Sequence, residues 1–101
     1  MAPDARMSNE LKAIHVIISG RVQGVWFRAW TQKAALKLGL TGWVRNRTDG
    51  TVEALLCGRS EQLEAMIAKC RKGPTLARVD KISQTPAEPP AESGFNLLPT
   101  T

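Results

Sequence analysis

One short stretch, residues 20–28, combines residue types suited to holding an anion. It reads GRVQGVWFR and lies between an apolar strand pattern and a helical pattern. A glycine-bracketed loop that leads into a helix directs several backbone N–H groups towards one point, where the helix dipole adds partial positive charge. We therefore predict a phosphate-binding loop. Its predicted ligands are the backbone amides of Gln23, Gly24, Val25, Trp26 and Phe27, together with Arg28.

Arg28 falls in the first turn of the predicted helix, where the helix dipole disfavours a cation. An anion bound between the helix terminus and the guanidinium group would remove that conflict, and the planar fork suits two phosphoryl oxygens. The alternative is a surface arginine paired with a carboxylate, and the neighbouring loop favours anion binding over it. The loop lacks the Gly-Lys-Ser/Thr ending of a nucleotide P-loop, so a Mg²⁺-bound nucleoside triphosphate is not expected.

Asn46 is a second polar candidate, on the same face of a predicted strand as Val44. A polar amide at the inner end of a strand needs hydrogen-bond partners. Two interpretations are open. Either the side chain satisfies the turn that follows, or it holds a water molecule for attack on phosphorus.

Other chemistry-bearing side chains are sparse. His15 is the single histidine, and the only cysteines, Cys57 and Cys70, form no C-x-x-C unit. We therefore expect no metal site, no cofactor and no Ser-His-Asp or Cys-His catalytic set. Free, buried cysteines are typical of a reducing compartment, so a cytoplasmic location is expected.

The overall composition fits one small globular domain. The chain has 101 residues, 43% of them hydrophobic, and no apolar run approaches the ~18 residues of a membrane span. Its 14 Lys and Arg against 9 Asp and Glu give a formal net charge of +5, which favours anionic partners. No run of consecutive basic residues marks a nucleic-acid surface. We expect a monomer with a small anionic substrate and neither a nucleic-acid nor a membrane partner.

The periodicity of the chain predicts four strands and two helices in the order β-α-β-β-α-β, after a mobile tail over residues 1–10. The predicted strands cover residues 12–19, 41–47, 51–57 and 77–84, and the helices run from about residue 27 to 38 and from an N-cap at Ser60 to Lys72. This order is that of the ferredoxin-like split βαβ arrangement. It predicts an α+β, two-layer sandwich, residues 11–101, with an antiparallel sheet and both helices on one face.

Several finer features are also predicted. Val79 and Ile82 are three residues apart, so regular alternation in the fourth strand would place them on opposite faces of the sheet. This indicates a β-bulge between them. Prolines at 86, 89 and 90 predict a stiff loop, and Phe95–Leu98 a short fifth edge strand. Trp26 and Trp30 are expected to pack the loop and helix, and Trp43 to lie with His15 on the open face of the sheet.

Residues 20–28 resemble the signature of the acylphosphatases, small enzymes that hydrolyse acyl phosphates. GWVRNRTDGTVE, residues 42–53, resembles their second signature, and Lys72-Gly73-Pro74 followed by Ala77-Arg78-Val79 is similar to a weaker third feature. The similarity runs from the first strand to the end of the chain, in the same order. It weakens in residues 95–101, which match the family's last strand only loosely.

This resemblance implies the ferredoxin-like fold and a catalytic pair that matches Arg28 and Asn46. It implies conversion of an acyl phosphate and water to a carboxylate and inorganic phosphate, without metal. The chemistry is feasible with few groups, because a carboxylate whose conjugate acid has a pKa of about 4 leaves without a general acid. The loose transition state of phosphoryl transfer is stabilised by positioning and electrostatics.

Two other functions fit the same fold. A non-catalytic anion- or RNA-binding module would display aromatic residues on its central strands, and residues 51–57 have none. An accessory domain that handles carbamoyl phosphate for a larger enzyme is less expected, given the 101-residue length. Release of phosphate from benzoyl phosphate in the presence of EDTA separates the three.

Overall fold

Five strands and two helices follow one another along residues 10–101, which are the residues that the computed structural model describes. The strands are β1 (Lys12–Arg21), β2 (Thr41–Asn46), β3 (Val52–Gly58), β4 (Arg78–Ala87) and β5 (Phe95–Leu97), and the helices are α1 (Phe27–Lys37) and α2 (Ser60–Lys72). The βαββαβ order and the added edge strand are confirmed. The tail predicted over residues 1–10 lies outside the described residues, except for Glu10.

The strands form one sheet in the order β4-β1-β3-β2-β5. Every neighbouring pair is antiparallel except β2 and β5, which are parallel. The sheet is therefore mixed, and the prediction of a purely antiparallel sheet is wrong for β5. The reason is geometric: β4 ends at Ala87, opposite Ala13 near the start of β1. The chain then crosses from the β4 edge of the sheet to the opposite edge, beside β2. There β5 starts at the same end of the sheet as β2, so the two strands run in the same direction.

The pairing places the C-terminal ends of β1 and β2 at the same end of the sheet. Both strands are antiparallel to β3, which lies between them, so they run in the same direction. Ile18 of β1 and Asn46 of β2 are both paired with Val52. The loop that follows β1 and the side chain that ends β2 therefore lie at the same level of the sheet.

Both helices pack on one face of the sheet, as predicted. Alternate strand residues, among them Val16, Val44 and Leu56, share a buried cluster with residues of α1 and α2 such as Phe27 and Met66. Burial of such apolar side chains is the main stabilising contribution in a domain of this size. On the opposite face, Trp43 packs against a smaller cluster of Ala13, Leu55 and Cys57, which confirms its predicted position.

A β-bulge joins β1 and β4 next to the predicted loop. Ser19 is paired with Lys81 but Gly20 with Val79, so Asp80 has no partner across the ladder. Gly20 has a φ of 129°, and a Cβ at this position would lie 2.2 Å from the carbonyl oxygen of Arg78. The bulge predicted from the phase of the fourth strand is therefore present, and it requires glycine at position 20.

Most predicted boundaries differ from the structure by one to three residues, and two of the differences have a clear physical reason. β4 continues through Pro86, which had been assigned to a loop, because β4 is an edge strand, where proline is tolerated in a sheet. Ser60 is the first residue of α2 rather than its N-cap, which is Arg59. The carboxamide oxygen of Gln62 accepts a hydrogen bond from the Arg59 N–H at 2.7 Å.

Candidate active site

The predicted phosphate loop connects β1 to α1 and is anchored by its own apolar side chains. Val22, Val25 and Phe27 are buried in the main core, and Phe27 also stacks edge-to-face on Trp30 at 5.4 Å. The side chains of Val25 and Phe27 point into the protein. These two residues can therefore contribute to a phosphate site only through their backbone amides.

The loop backbone has the geometry of an anion-binding concavity. Gly24 and Trp26 both have left-handed backbone conformations, with φ of 74° and 66°, and Val25 lies between them. Alternation of this kind turns successive N–H groups towards one point. Within residues 10–101, no backbone carbonyl accepts a hydrogen bond from the amides of residues 23–28. Because backbone amides are rarely left unbonded, this set is available to a ligand.

Arg28 is the second residue of α1, whose first turn contains no acidic residue. None of the ion pairs formed among residues 10–101 involves Arg28. The alternative of an ordinary surface arginine paired with a carboxylate therefore has no support in the described part of the chain. Arg28 is half-buried, lies at the positive end of the helix dipole and lines the same cavity as the loop.

Asn46 is half-buried at the end of β2. The side-chain hydrogen bonds of the turn that follows are made by Asp49. Asp49 Oδ1 accepts hydrogen bonds from the Thr51 hydroxyl at 2.6 Å and from the Thr51 N–H at 3.0 Å. These hydrogen bonds, with the charge of Arg47, hold the pKa of Asp49 below its usual value. Asp49 thus accepts the side-chain hydrogen bonds seen in this turn, and nothing in residues 10–101 supports the interpretation in which Asn46 satisfies the turn.

A cavity of about 400 Å³ brings most of the predicted site together. Its lining residues are Val22, Gly24, Trp26, Phe27, Arg28, Ala29, Asn46 and Leu97. Arg28 and Asn46, which come from different elements, thus face one volume. Gln23 and Val25 do not line it. A second cavity of similar volume, between α2 and β4, contains none of the predicted site residues.

Gln23 has a contact that the sequence did not indicate. Its side-chain amide donates hydrogen bonds to the carbonyl oxygens of Arg47, at 2.7 Å, and Thr51, at 2.9 Å. These bonds join the loop to the β2–β3 hairpin that carries Asn46. Partners 24 and 28 residues away leave no periodic signal in the chain, so only the three-dimensional structure identifies them.

Trp26 does not pack into the loop, in contrast to its predicted structural role. Its left-handed backbone turns the indole outwards, and the residue is 81% exposed at the edge of the cavity. Trp30, four residues later, does pack against the main core as predicted. A non-glycine residue with positive φ is uncommon, and such strain is found preferentially at functional sites.

A buried carboxylate on the opposite face of the sheet belongs to a separate network. Glu53 is only 7% exposed, and its two oxygens contact His15 Nε2 at 2.5 Å and Arg45 Nε at 2.7 Å. Burial acts to raise the pKa of Glu53. The hydrogen bonds and charges of Arg45 and His15 outweigh burial, so that this pKa lies below its ordinary value. Arg45 also stacks over the Trp43 ring at 4.8 Å.

The cysteines lie away from the cavity, and both thiols are free and buried. Burial raises the pKa of the Cys70 thiol to about 12. Among residues 10–101, no three His, Cys, Asp or Glu side chains are grouped as metal ligands would be. No helix in that range combines the length and hydropathy needed to cross a membrane.

Comparison with known proteins places these motifs in one family. The model of the acylphosphatase family matches residues 14–97. An acylphosphatase of Rhodospirillum rubrum is 53% identical over 90 residues, which cover 89% of this chain and 99% of that protein. The crystal structure of an acylphosphatase from Bacillus subtilis superposes with a TM-score of 0.81 at 36% identity, covering 88% of this chain and 99% of the other. For the Coxiella burnetii acylphosphatase structure the TM-score is 0.84 at 33% identity, with 97% and 100% covered.

Proposed function

This chain belongs to the acylphosphatase family and hydrolyses acyl phosphates, and we propose that Arg28 and Asn46 are its catalytic pair. The observation that carries the proposal is the single cavity that both side chains share with the loop residues Gly24, Trp26 and Phe27, whose amides donate to no backbone carbonyl within residues 10–101. In this proposal the amides of residues 23–27 and the guanidinium group of Arg28 bind the phosphoryl oxygens. Asn46 binds the attacking water.

The proposed binding step relies on charge complementarity. A phosphoryl group carries negative charge on its equatorial oxygens, and that charge is held in the loose transition state. Backbone amides at a helix N-terminus, with one arginine fork, supply donors that are already oriented before substrate arrives. Since those donors need not reorganise, they stabilise the transition state at little cost.

The proposed hydrolytic step uses Asn46 to position water. Its carboxamide oxygen accepts a hydrogen bond from the water, whose lone pair then faces phosphorus in line with the leaving oxygen. The new water–phosphorus bond forms as the bond from phosphorus to the acyl oxygen breaks, and the electron pair leaves with the carboxylate. The water proton passes to a phosphoryl oxygen of the substrate, because neither Arg28 nor Asn46 is a base at neutral pH.

The proposal includes a metal-independent, monomeric, cytoplasmic enzyme. Arg28 and the amides supply the positive charge that a metal ion provides in other phosphoryl-transfer enzymes. Two free, buried thiols support a reducing compartment.

The test is release of inorganic phosphate from benzoyl phosphate in the presence of EDTA. We expect turnover that EDTA leaves unchanged, with inorganic phosphate as a competitive inhibitor because the loop binds the phosphoryl group itself. Sulfate should compete more weakly. Turnover that disappears in EDTA and returns with a divalent cation would contradict the metal-free mechanism. An apparent KM unaffected by millimolar phosphate would contradict the loop assignment.

A further inference from the structure

We propose that an apolar groove beside the active site binds the acyl part of the substrate and selects acyl phosphates with aromatic or extended apolar acyl groups. The groove is lined by Val25, Trp26, Ala29, Trp30, Lys33, Pro74, Thr75 and Leu76, and its volume is about 400 Å³. It meets the catalytic cavity at Trp26 and Ala29, which line both. The inference rests on the proposed function of that cavity.

Two exposed apolar side chains converge on this groove. Trp26 is 81% exposed and Leu76 is 67% exposed, and they belong to separate parts of the chain, before α1 and before β4. Large apolar side chains on a protein surface are commonly isolated, whereas a concave pair of them is typical of a ligand site. Trp26 is also held in a strained, left-handed conformation that turns its indole out of the core.

The geometry of hydrolysis directs the acyl group towards this groove. In-line attack requires the leaving oxygen to lie on the side of phosphorus opposite to the water. In the proposed mechanism the water is at Asn46, which lines the catalytic cavity but not the groove. The leaving acyl group therefore extends away from Asn46. Trp26 is the large side chain that lies between the cavity containing Asn46 and the groove containing Leu76.

The groove has one charged lining residue, Lys33, and is otherwise apolar apart from Thr75. A benzoyl or longer apolar acyl group would replace water against Trp26, Trp30 and Leu76. An acetyl group is too small to reach beyond Trp26. The structure thus predicts discrimination by the size of the acyl group, while the phosphoryl group is held identically in both substrates.

The experiment compares kcat/KM for benzoyl phosphate and acetyl phosphate in four variants. We expect Trp26→Ala to lower the value for benzoyl phosphate about tenfold, mainly through KM, and that for acetyl phosphate by a smaller factor. Leu76→Ala should lower only the benzoyl phosphate value, by about threefold. Trp26→Phe should restore most of the preference. Leu36→Ala is the matched control, since Leu36 is 55% exposed and lines neither site.

The inhibition constant of inorganic phosphate identifies damage to the loop. It should stay unchanged in Leu76→Ala, because Leu76 lies outside the loop that binds the phosphoryl group. Equal losses for both substrates, with weaker phosphate inhibition, would show that Trp26 only maintains the loop and would overturn the inference. An unchanged ratio of the two substrates would overturn it as well. Failure of the wild-type protein to hydrolyse either substrate would instead contradict the proposed function.

Discussion

Arg28 and Asn46 offer different interactions to a phosphoryl group. The arginine is a cation with a planar fork and can bind the phosphoryl oxygens before, during and after the reaction. The asparagine is neutral and, in the proposed mechanism, contacts the water. Substrate binding and chemical turnover should therefore depend on the two side chains to different degrees.

Substitution of the two residues should separate binding from turnover. Arg28→Lys keeps the charge but loses the fork, so we expect weaker phosphate binding and a large loss of kcat/KM. Asn46→Ala should lower kcat on the order of 10²-fold or more while phosphate affinity changes little. Calorimetric titration with phosphate and steady-state kinetics measure both quantities.

Matched controls for this pair are Asn96→Ala, on β5, and Arg71→Lys, near the end of α2, because neither residue lines the catalytic cavity. Both should behave as the wild type. If Asn46→Ala abolished phosphate binding while Arg28→Lys retained it, the two roles would be reversed and the mechanism would be wrong.

Cys70 should be chemically inert in the folded protein. It is 1% exposed, and burial raises the pKa of its thiol to about 12, so thiolate is scarce at pH 8. We expect a thiol-directed reagent to label it only at the rate of unfolding, and labelling of denatured protein is the control. Cys70→Ser and Cys57→Ser should cost stability but leave kcat of the folded enzyme nearly unchanged. Fast labelling of Cys70 under native conditions would contradict this.

The elements of the fold hold the site by a small number of specific contacts. The bulge at Gly20 sets where β1 ends, and Gln23 ties the loop that follows to the β2–β3 hairpin. On the other side of the loop, the side-chain amide of Gln32 in α1 donates a hydrogen bond to the Phe95 carbonyl oxygen of β5 at 2.8 Å. These contacts fix the loop after β1 to the β2–β3 hairpin, and α1 to β5.

Gly20→Ala should be far more destabilising than Gly50→Ala. Both glycines have positive φ, 129° and 93°, so alanine is strained at either position. At Gly50 nothing lies within 4 Å of the added Cβ, and we expect a loss of about 1–2 kcal/mol. At Gly20 the Cβ meets the Arg78 carbonyl oxygen, which should add about 1–3 kcal/mol. Urea unfolding measures both, and equal losses would contradict the crowding argument.

The Glu53 network should make folding stability depend on acidic pH. The pKa of Glu53 is lowered in the folded protein, so the carboxylate contributes stability that is complete above its unfolded pKa of about 4.5. That contribution is lost as pH falls through the lower, folded pKa. Glu53→Gln should therefore cost about 1.5–3 kcal/mol at pH 7 and reduce the loss of stability below pH 4.5.

Urea unfolding of wild type and Glu53→Gln between pH 3 and 7 checks this prediction. Asp80→Asn is the control, because Asp80 is exposed and, among residues 10–101, pairs only with the exposed Arg78. Its stability curve should follow that of the wild type. Parallel curves for Glu53→Gln and the wild type over the acidic range would show that the network does not contribute through the Glu53 charge.

Local sequence patterns predicted the elements, because alternation and helical spacing are short-range signals. Alternation placed Trp43 and Val44 on opposite faces, and the loop before α1 was recognisable from its glycines and Arg28. The parallel pairing of β5 and the contacts of Gln23 depend on where distant segments meet, so no local pattern specifies them. The outward turn of Trp26 was missed for another reason: an aromatic side chain is usually buried, and only its left-handed backbone orients it to solvent.

For the whole molecule, the net charge of +5 should assist capture of an anionic substrate. We expect kcat/KM for benzoyl phosphate to fall as sodium chloride is raised from 0.02 to 0.5 M, since the screening length shortens from about 20 Å to about 4 Å. Because the bound phosphoryl group is held at short range, kcat should change much less. A salt-independent kcat/KM with a falling kcat would contradict capture by long-range charge.

The position of β3 between β1 and β2 has a consequence for how activity is acquired during folding. The loop after β1 and the end of β2 come together to form the phosphate site only when both strands are paired with β3. The residues of β3 that pair with β1 are 34 or more positions away along the chain. Contacts of such sequence separation form slowly, because a long loop must be closed first. Catalysis should consequently return at the end of refolding, after helical signals have recovered, and a peptide spanning residues 20–28 alone should be inactive.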